Sequence, residues 1–184
     1  MSTKFNLCDF ILFGGHGDLA FRKLLPALYH LCKDEYISSE SRIITVSRKN
    51  ISKEEHINLV KDKLNLFLEN EDFDEEFFEK FKKQLYIVVI DFSNNSSYKN
   101  LQDILNEQTN RDRINYLSTS PDFFGAICKS LDDWDLIHNQ TRVVLEKPLG
   151  RDLKSSQEIN KEVLKYFQED QVYRIDHYLG KDTV

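Results

Sequence analysis

The sequence of 184 residues is poor in the features that mark disulfide-bonded or membrane proteins. It has three cysteines, Cys8, Cys32 and Cys128, which lie far apart and form no CxxC pair, so we expect buried, reduced thiols in a cytoplasmic protein. No apolar run approaches the ~20 residues that span a bilayer, and the short run Phe10–Phe13 leads directly into glycines. We therefore expect neither a membrane partner nor a signal peptide.

The sequence also lacks an extended run of Lys and Arg residues, and its 31 acidic side chains outnumber its 25 basic ones. A formal net charge of −6 disfavours binding to nucleic acid, which needs a basic surface patch. With 40% apolar residues the composition is typical of a globular protein rather than a disordered one. The length fits one domain with a full core, so we expect residues 1–184 to form a single domain.

Short runs rich in β-branched residues alternate along the chain with amphipathic helical patterns. We predict six strands, namely Asp9–Phe13, Arg42–Ser47, Leu85–Ile90, Arg113–Ser118, Thr141–Glu146 and Val172–Ile175. Strands that alternate with helices form parallel sheets with right-handed crossovers. The pattern therefore predicts an α/β fold with a doubly wound, mostly parallel sheet of the Rossmann-like, dinucleotide-binding type.

The first predicted helix, Asp18–Lys33, contains Pro26, which should kink or interrupt it. The second begins at Ser52, because Glu55 three residues later completes a capping box. The remaining helical patterns are a segment carrying Phe73, Phe77, Phe78 and Phe81, and the segments Ser96–Glu107, Pro121–Leu131 and Ser155–Phe167.

A glycine-rich turn follows the first predicted strand and precedes the first predicted helix. Residues Gly15 to Ala20 fit the pattern G-x-G-x-x-A. Glycines allow a tight turn and a close approach of backbone N–H groups to a pyrophosphate, and the helix N-terminus adds positive partial charge. We interpret this segment as a nucleotide-binding turn. The alternative is an ordinary turn in which Asp18 caps the helix.

The end of the second predicted strand bears on which dinucleotide binds. Enzymes that use NAD place an acid there for the ribose hydroxyls, whereas this strand ends at Ser47 and continues with Arg48 and Lys49. An arginine pairs with a 2′-phosphate through two parallel hydrogen bonds, and an acid would repel that phosphate. We therefore predict NADP as the cofactor. The alternative is a solvated basic pair with no ligand.

Further polar side chains follow the fifth and sixth predicted strands. Lys147 comes after one of them, and His177, Tyr178 and Lys181 come after the other. Because the carboxyl ends of parallel strands meet at one edge, these groups predict an anion site for a phosphorylated substrate. Taken singly, a lysine at a strand end is more often an ordinary surface residue, and a lone histidine is more often structural.

The chain resembles the glucose-6-phosphate dehydrogenase family over nearly its whole length. The matching blocks occur in the family's order and spacing, and they are Gly14–Lys23, Arg48, Glu146–Asp152 and Arg174–Lys181. The resemblance implies oxidation of glucose 6-phosphate at C1 to 6-phosphogluconolactone with hydride transfer to NADP. This reaction is the first oxidative step of the pentose phosphate pathway, and the family's full-length chains form homo-oligomers.

The resemblance also implies a role for each matching residue. Lys147 would bridge cofactor and substrate, and Asp176 would orient a catalytic histidine. The implied substrate-binding residues are Lys147, His177, Tyr178 and Lys181. The implied cofactor-binding residues are Gly14, Gly15, His16, Gly17, Asp18, Leu19, Ala20, Phe21, Arg48, Asp91, Phe92, Lys147 and Pro148. No metal is implied.

The family's chains continue into a second domain with the catalytic histidine, further substrate contacts and the oligomer interface, and residues 1–184 contain no histidine at the place of that base. We therefore expect a coenzyme domain that is nearly inactive by itself. Two alternatives stay open. One is a nucleotide-binding module without catalysis, and the other is a different NADP-dependent sugar oxidoreductase in which Lys147 acts as the acid or base.

Overall fold

Strands and helices alternate in a computed structural model of the chain, which describes residues 7–68, 72–146 and 149–175. The strands are β1 (Cys8–Phe13), β2 (Arg42–Ser47), β3 (Leu85–Val89), β4 (Asp112–Leu117), β5 (Thr141–Glu146) and β6 (Val172–Ile175). All six predicted strands are confirmed, and no bound differs from its prediction by more than one residue. Each strand is a short apolar run closed by glycine or polar residues, which makes its ends easy to locate.

The six strands form one sheet in the order β3-β2-β1-β4-β5-β6, and every described pairing is parallel. The strand order reverses between β1 and β4, so these two strands form the topological switch point of the sheet. Ligands of doubly wound folds bind beyond the carboxyl ends of the strands at this point. The predicted Rossmann-like α/β fold is confirmed.

The helices are α1 (Leu25–Lys33), α2 (Lys53–Phe67), α3 (Glu75–Phe81), α4 (Lys99–Asn106), α5 (Phe124–Asp133) and α6 (Leu153–Val163). Successive side chains of a strand point to opposite faces, so Leu12 belongs to a core with α1, α2 and α3. Ile11 and Phe13 belong to a second core with α4, α5 and α6. Both faces of the sheet are therefore covered, and among the described residues no helix has the length and apolar character needed to cross a bilayer.

Pro26 interrupts the first helix as predicted, and the interruption has a definite form. The helical run begins at Asp18 but is π-helical over Ala20–Leu24, directly before α1. Proline has no N–H, and its ring collides with the carbonyl four residues earlier in a regular α-helix. A wider π turn at this point accommodates the proline without ending the helix.

Three other helices differ from their predicted bounds. The helices predicted to begin at Ser96 and Pro121 open with 3₁₀ turns, Asn95–Tyr98 and Pro121–Phe123, before α4 and α5. The last helix was predicted over Ser155–Phe167, but it occupies Leu153–Val163 because Asp152 forms its N-cap, accepting a hydrogen bond from the Ser155 N–H at 2.8 Å. Both residue types cap helices well, so the sequence alone does not distinguish them.

The predicted capping box of α2 is present. Ser52 Oγ accepts a hydrogen bond from the Glu55 N–H at 3.1 Å, and Glu55 Oε2 accepts one from the Ser52 N–H at 2.7 Å. We expect Ser52→Ala to lower the free energy of unfolding by about 1 kcal/mol, because one N–H of the first turn loses its acceptor. Urea unfolding of Ser52→Ala beside Ser52→Thr, which keeps the hydroxyl, measures the effect. An unchanged midpoint for Ser52→Ala would show that the cap is not formed in solution.

Candidate functional site

Two clefts lie at the carboxyl edge of the sheet, one on each side of the switch point. The β2-side cleft has a volume of about 290 Å³ and is lined by Gly14, His16, Gly17, Val46, Ser47, Arg48, Lys49, Phe92, Ser118 and Thr119. The β5-side cleft has a volume of about 450 Å³ and is lined by Leu19, Leu117, Ser118, Thr119, Ser120, Pro121, Asp122, Glu146, Gly150, Arg151, Ser155 and Ile159. The two clefts share Ser118 and Thr119, so they adjoin at the switch point and together form one trough.

The glycine-rich turn lies between the two clefts, and its first two glycines are required by geometry. Gly14 has a φ of +81°, and a Cβ at this position would collide with the Ser118 carbonyl after β4. A Cβ at Gly15 would collide with Thr45 in β2, and the Gly15 N–H donates to the Val46 carbonyl at 3.1 Å. The turn therefore lies directly on β2 and β4, at the switch point.

The remaining predicted residues of the turn divide between the clefts and the core. Gly17 lines the β2-side cleft, and Leu19 lines the β5-side cleft. The exposed carboxylate of Asp18 lies 3.4 Å from Arg22 in the next helical turn, and Ala20 and Phe21 are buried. The helical run starts at Asp18 beside both clefts, which favours a negatively charged group there.

Basic and hydroxyl groups collect at the end of β2. Ser47 is buried, and its Oγ accepts a hydrogen bond from the Lys49 N–H at 3.0 Å. Arg48 and Lys49 are exposed at the mouth of the β2-side cleft. The donors available to a ligand there are one hydroxyl, one guanidinium and one ammonium, a set that suits a phosphate group.

The two residues predicted after β3 take different positions. Phe92 is buried and lines the β2-side cleft, with its ring 6.0 Å from that of Phe13 and 5.5 Å from that of Phe123. Asp91 is exposed, and hydrogen bonds from Ser93 hold the pKa of its carboxyl below the ordinary value, with a further contribution from Arg48. Phe92 thus forms an apolar wall of the cleft, whereas Asp91 is not among its lining residues.

His16 makes two polar contacts on the β2 side of the turn. Its Nδ1 lies 3.0 Å from Ser47 Oγ, and its Nε2 lies 3.0 Å from Nδ1 of His56 on α2. Burial, followed by the charge of Lys49, lowers the pKa of His16. Burial, followed by His16, lowers the pKa of His56 to about 4. Both imidazoles are therefore neutral near pH 7.

Polar groups of both charges line the β5-side cleft. Asp122 lies in the 3₁₀ turn Pro121–Phe123, and Arg151 precedes α6. Glu146 is the last residue of β5. This cleft is larger and more mixed in charge than the β2-side cleft, so it suits an uncharged or zwitterionic group with an adjacent polar substrate better than a second phosphate.

Of the predicted cofactor residues, the structure places Gly14, His16, Gly17, Arg48 and Phe92 on the β2-side cleft and Leu19 on the β5-side cleft, whereas Ala20 and Phe21 lie in the core. Lys147, Pro148, Asp176, His177, Tyr178 and Lys181 lie outside the described residues. In the sequence, Lys147 and Pro148 follow Glu146, the last residue of β5, and Asp176 follows Ile175, the last residue of β6. Their assigned roles remain predictions.

His56 is a site-adjacent residue that the sequence did not reveal. It belongs to the buried face of α2 with Val60 and Leu64, where an apolar residue would be expected. A polar residue at an apolar position of the helical pattern was the available signal. Its partner His16 lies 40 residues earlier, so spacing alone does not pair them. Among the described residues, no cluster of three or more His, Cys, Asp or Glu side chains is arranged to hold a metal ion.

Comparison with known proteins agrees with this geometry. Residues 11–184 match the family described as "Glucose-6-phosphate dehydrogenase, NAD binding domain". The chain is 43% identical over 176 residues to the glucose-6-phosphate 1-dehydrogenase of Rhizobium meliloti (strain 1021), and 45% identical over 177 residues to that of Dickeya dadantii (strain 3937). In each case the match covers 96% of this chain and 36% of the relative, so the chain spans little more than a third of the relatives' length.

Solved structures show the same fold. The crystal structure of glucose-6-phosphate 1-dehydrogenase from Mycobacterium avium superposes with a TM-score of 0.86 at 28% identity, covering 96% of this chain and 37% of that one. A glucose-6-phosphate dehydrogenase in complex with glucose 6-phosphate superposes with a TM-score of 0.84 at 30% identity, covering 99% and 39%. These matches favour this family over the other NADP-dependent sugar oxidoreductases.

Proposed function

We propose a function on one premise: this chain belongs to the glucose-6-phosphate dehydrogenase family and forms its nucleotide-binding domain. The domain binds NADP along the trough at the carboxyl edge of the sheet, where glucose 6-phosphate is oxidised at C1 to 6-phosphogluconolactone. The main observation that supports this proposal is that the β2-side and β5-side clefts meet at Ser118 and Thr119 beside the glycine-rich turn. A dinucleotide has two halves joined by a pyrophosphate, and this arrangement offers a place for each.

The β2-side cleft is proposed to hold the adenosine half and its 2′-phosphate. Arg48 and Lys49 supply positive charge at the mouth, and the Ser47 hydroxyl lies behind them. Asp91 follows β3, the strand next to β2, and Arg48 lies near enough to contribute to the lowered pKa of its carboxyl. The side chains at the end of β2 therefore fit the 2′-phosphate of NADP better than the bare ribose hydroxyls of NAD.

The turn at Gly14–Gly17 is proposed to hold the pyrophosphate, because it lies on β2 and β4 at the switch point and the helical run that starts at Asp18 presents its positive end there. The β5-side cleft then takes the nicotinamide half, with Pro148 shaping it and Lys147 bridging to the substrate. His177, Tyr178 and Lys181, which follow β6, are proposed to bind the sugar phosphate. When bound, the nicotinamide supplies the acceptor for the hydride that leaves C1 of the sugar.

The contribution of this chain to the reaction is binding and orientation. Asp176 is proposed to fix the tautomer of a histidine base that removes the C1 hydroxyl proton as the hydride leaves. The family's base has no counterpart among His16, His30, His56, His138 and His177. Residues 1–184 by themselves are therefore proposed to bind NADP and to turn over very slowly.

Two measurements on the same chain test this proposal. Calorimetric titration should show tighter binding of NADP than of NAD. With glucose 6-phosphate and NADP, absorbance of the reduced nicotinamide should rise at least about 10²–10⁴-fold more slowly than with a full-length family enzyme, since a general base is missing. Turnover near the full-length rate would refute the assignment of the base. Failure to bind either dinucleotide would refute the cofactor site.

Addition of a separately produced second domain from a family member distinguishes an incomplete enzyme from a non-catalytic module. Restored turnover supports the former, and binding without any restored turnover supports the latter. Homo-oligomer formation through that second domain belongs to the same proposal. A cytoplasmic location is proposed from the cysteines, since Cys8, Cys32 and Cys128 are all buried and free.

A further inference from the structure

The histidine of the glycine-rich turn is held on three sides. His16 Nδ1 lies 3.0 Å from Ser47 Oγ, and His16 Nε2 lies 3.0 Å from His56 Nδ1. The ring stacks on Phe21, with 5.6 Å between the centroids and 17° between the planes. A half-buried imidazole with both nitrogens engaged is an ordered side chain, and it forms part of the wall of the β2-side cleft.

Burial of His56 lowers the stability of the fold, and the polar contact that its side chain makes in compensation is with His16. His56 is fully buried on α2, and its Nε2 has no hydrogen-bond partner. A buried polar atom without a partner forgoes the hydrogen bond that it would make to water. What His56 provides in return is Nδ1, aimed at His16 Nε2.

His16 can take up an additional proton and still find a hydrogen-bond acceptor for each of its two ring N–H groups. A protonated imidazole donates from both nitrogens. Ser47 Oγ can accept from Nδ1, and His56 Nδ1 can accept from Nε2 when the proton of His56 is on its own Nε2. His56 stays neutral throughout, because burial and the neighbouring His16 lower its pKa to about 4.

In the absence of an anion, the surroundings of His16 disfavour its protonated form. Burial and then Lys49, from the end of β2, lower the pKa of His16. Arg48 lines the same cleft, His56 contacts the ring from α2, and Asp91 after β3 interacts with Arg48. A phosphate that entered among these cations would reverse the balance and favour a charged His16.

We propose that His16, backed by His56, is a proton-coupled specificity residue: entry of a 2′-phosphate into the β2-side cleft brings a solvent proton onto His16 Nδ1, and the resulting cation helps to hold the phosphate. The inference rests on the proposed function, because it requires a 2′-phosphorylated nucleotide in this cleft. Ser47 completes the site. Once His16 Nδ1 is protonated, Ser47 Oγ accepts from this N–H as well as from the Lys49 N–H, so its own proton is free to donate to the phosphate.

The coupling has a definite sign. The pKa of His16 is higher in the complex than in the free chain, so binding takes up a proton and affinity rises as pH falls through the pKa of the complex. A nucleotide without the 2′-phosphate shows no such rise. Protonation of the phosphate itself, with a pKa of about 6, acts in the opposite direction by reducing the charge of the ligand.

The test uses the full chain and two probes that differ only by the 2′-phosphate, adenosine 2′,5′-bisphosphate and adenosine 5′-monophosphate. Their affinities are measured by calorimetry from about pH 8 to about pH 5.5, a range that spans the titration of histidine. For the unmodified chain, the preference for the 2′-phosphorylated probe rises as pH falls, by up to ~10-fold per pH unit. Repeating the titration in buffers of different ionisation enthalpy counts the protons taken up.

Variants distinguish the protonation of His16 from the protonation of the phosphate on the ligand. In His16→Asn the preference falls below about pH 6, because only the phosphate now titrates. His30→Asn, which removes an imidazole on α1 away from both clefts, keeps the profile of the unmodified chain. His56→Phe fills the buried site without an acceptor for the His16 cation, and it should flatten the rise.

A direct measurement on the unmodified chain does not depend on whether the variants fold. NMR titration of the His16 ring in the unmodified chain should show a higher pKa with adenosine 2′,5′-bisphosphate than without it. An unchanged pKa, or parallel profiles for the unmodified chain and His16→Asn, would overturn the inference while leaving the cofactor site intact. Failure of adenosine 2′,5′-bisphosphate to bind at any pH would overturn the proposed function and the inference together.

Discussion

Arg48→Ala is expected to abolish most of the preference for NADP over NAD. Arg48 is exposed at the mouth of the β2-side cleft, behind which lies the Ser47 hydroxyl. A charge-assisted hydrogen bond contributes about 1.5–3 kcal/mol, so NADP should bind about tenfold to a hundredfold more weakly to the variant. NAD has no 2′-phosphate, and its affinity should change little. Calorimetric titration with both dinucleotides gives the ratio directly.

A matched arginine at the other end of the sheet provides the control. Arg142, near the start of β5, donates to the Asn139 carbonyl at 2.6 Å and faces neither cleft. Arg142→Ala removes the same charge and should leave the ratio of the two affinities unchanged. Equal losses of NADP and NAD affinity in Arg48→Ala would contradict a 2′-phosphate contact, because they would indicate a general effect on the pyrophosphate or the fold.

Asp9→Asn is expected to have the largest effect on stability. The carboxylate of Asp9 is fully buried at the amino-terminal edge of the sheet, with Arg42 Nε and Arg111 Nε both 2.8 Å from Oδ1. Arg42 also donates to Oδ2 at 2.7 Å. An asparagine keeps the shape but removes the charge and places an N–H₂ group against a guanidinium. Leaving two buried arginines without their anion should lower the free energy of unfolding by about 3–5 kcal/mol.

Chemical denaturation of Asp9→Asn beside an exposed ion-pair variant tests this expectation. Glu76 lies 3.3 Å from Lys80 on the surface of α3, and Glu76→Gln should not change the unfolding midpoint measurably. The cluster lies at the opposite end of the strands from both clefts, so a folded Asp9→Asn chain should keep its NADP preference. A midpoint as high as that of the unmodified chain would show that Asp9 is not buried between the arginines.

The architecture could be predicted from the sequence because the patterns that indicate it involve residues close together in the chain. Apolar runs such as Arg42–Ser47 end at polar residues, and the strand–glycine–helix order at Gly14–Ala20 locates the switch point. Arg48 was predicted at the cofactor site because a strand end determines its position by itself. Each of these inferences depends on neighbours within a few residues along the chain.

The features that escaped prediction depend on contacts between distant segments. Asp9 is an ordinary acid at the start of a strand until Arg42 and Arg111, 33 and 102 residues away, are packed against it. The same holds for His16 and His56, whose contact requires α2 to lie against the glycine-rich turn. The bounds of the last helix were missed for another reason, since Asp152 and Ser155 are both good caps and only the structure shows which one acts.

The most direct test of the account is a crystal structure of the chain with NADP bound. We predict the 2′-phosphate within hydrogen-bond distance of Arg48 and the Ser47 hydroxyl, the pyrophosphate at Gly14–Gly17, and the nicotinamide in the β5-side cleft. A dinucleotide bound in the reverse direction, or with its 2′-phosphate in solvent away from the end of β2, would contradict both the cofactor assignment and the role given to His16.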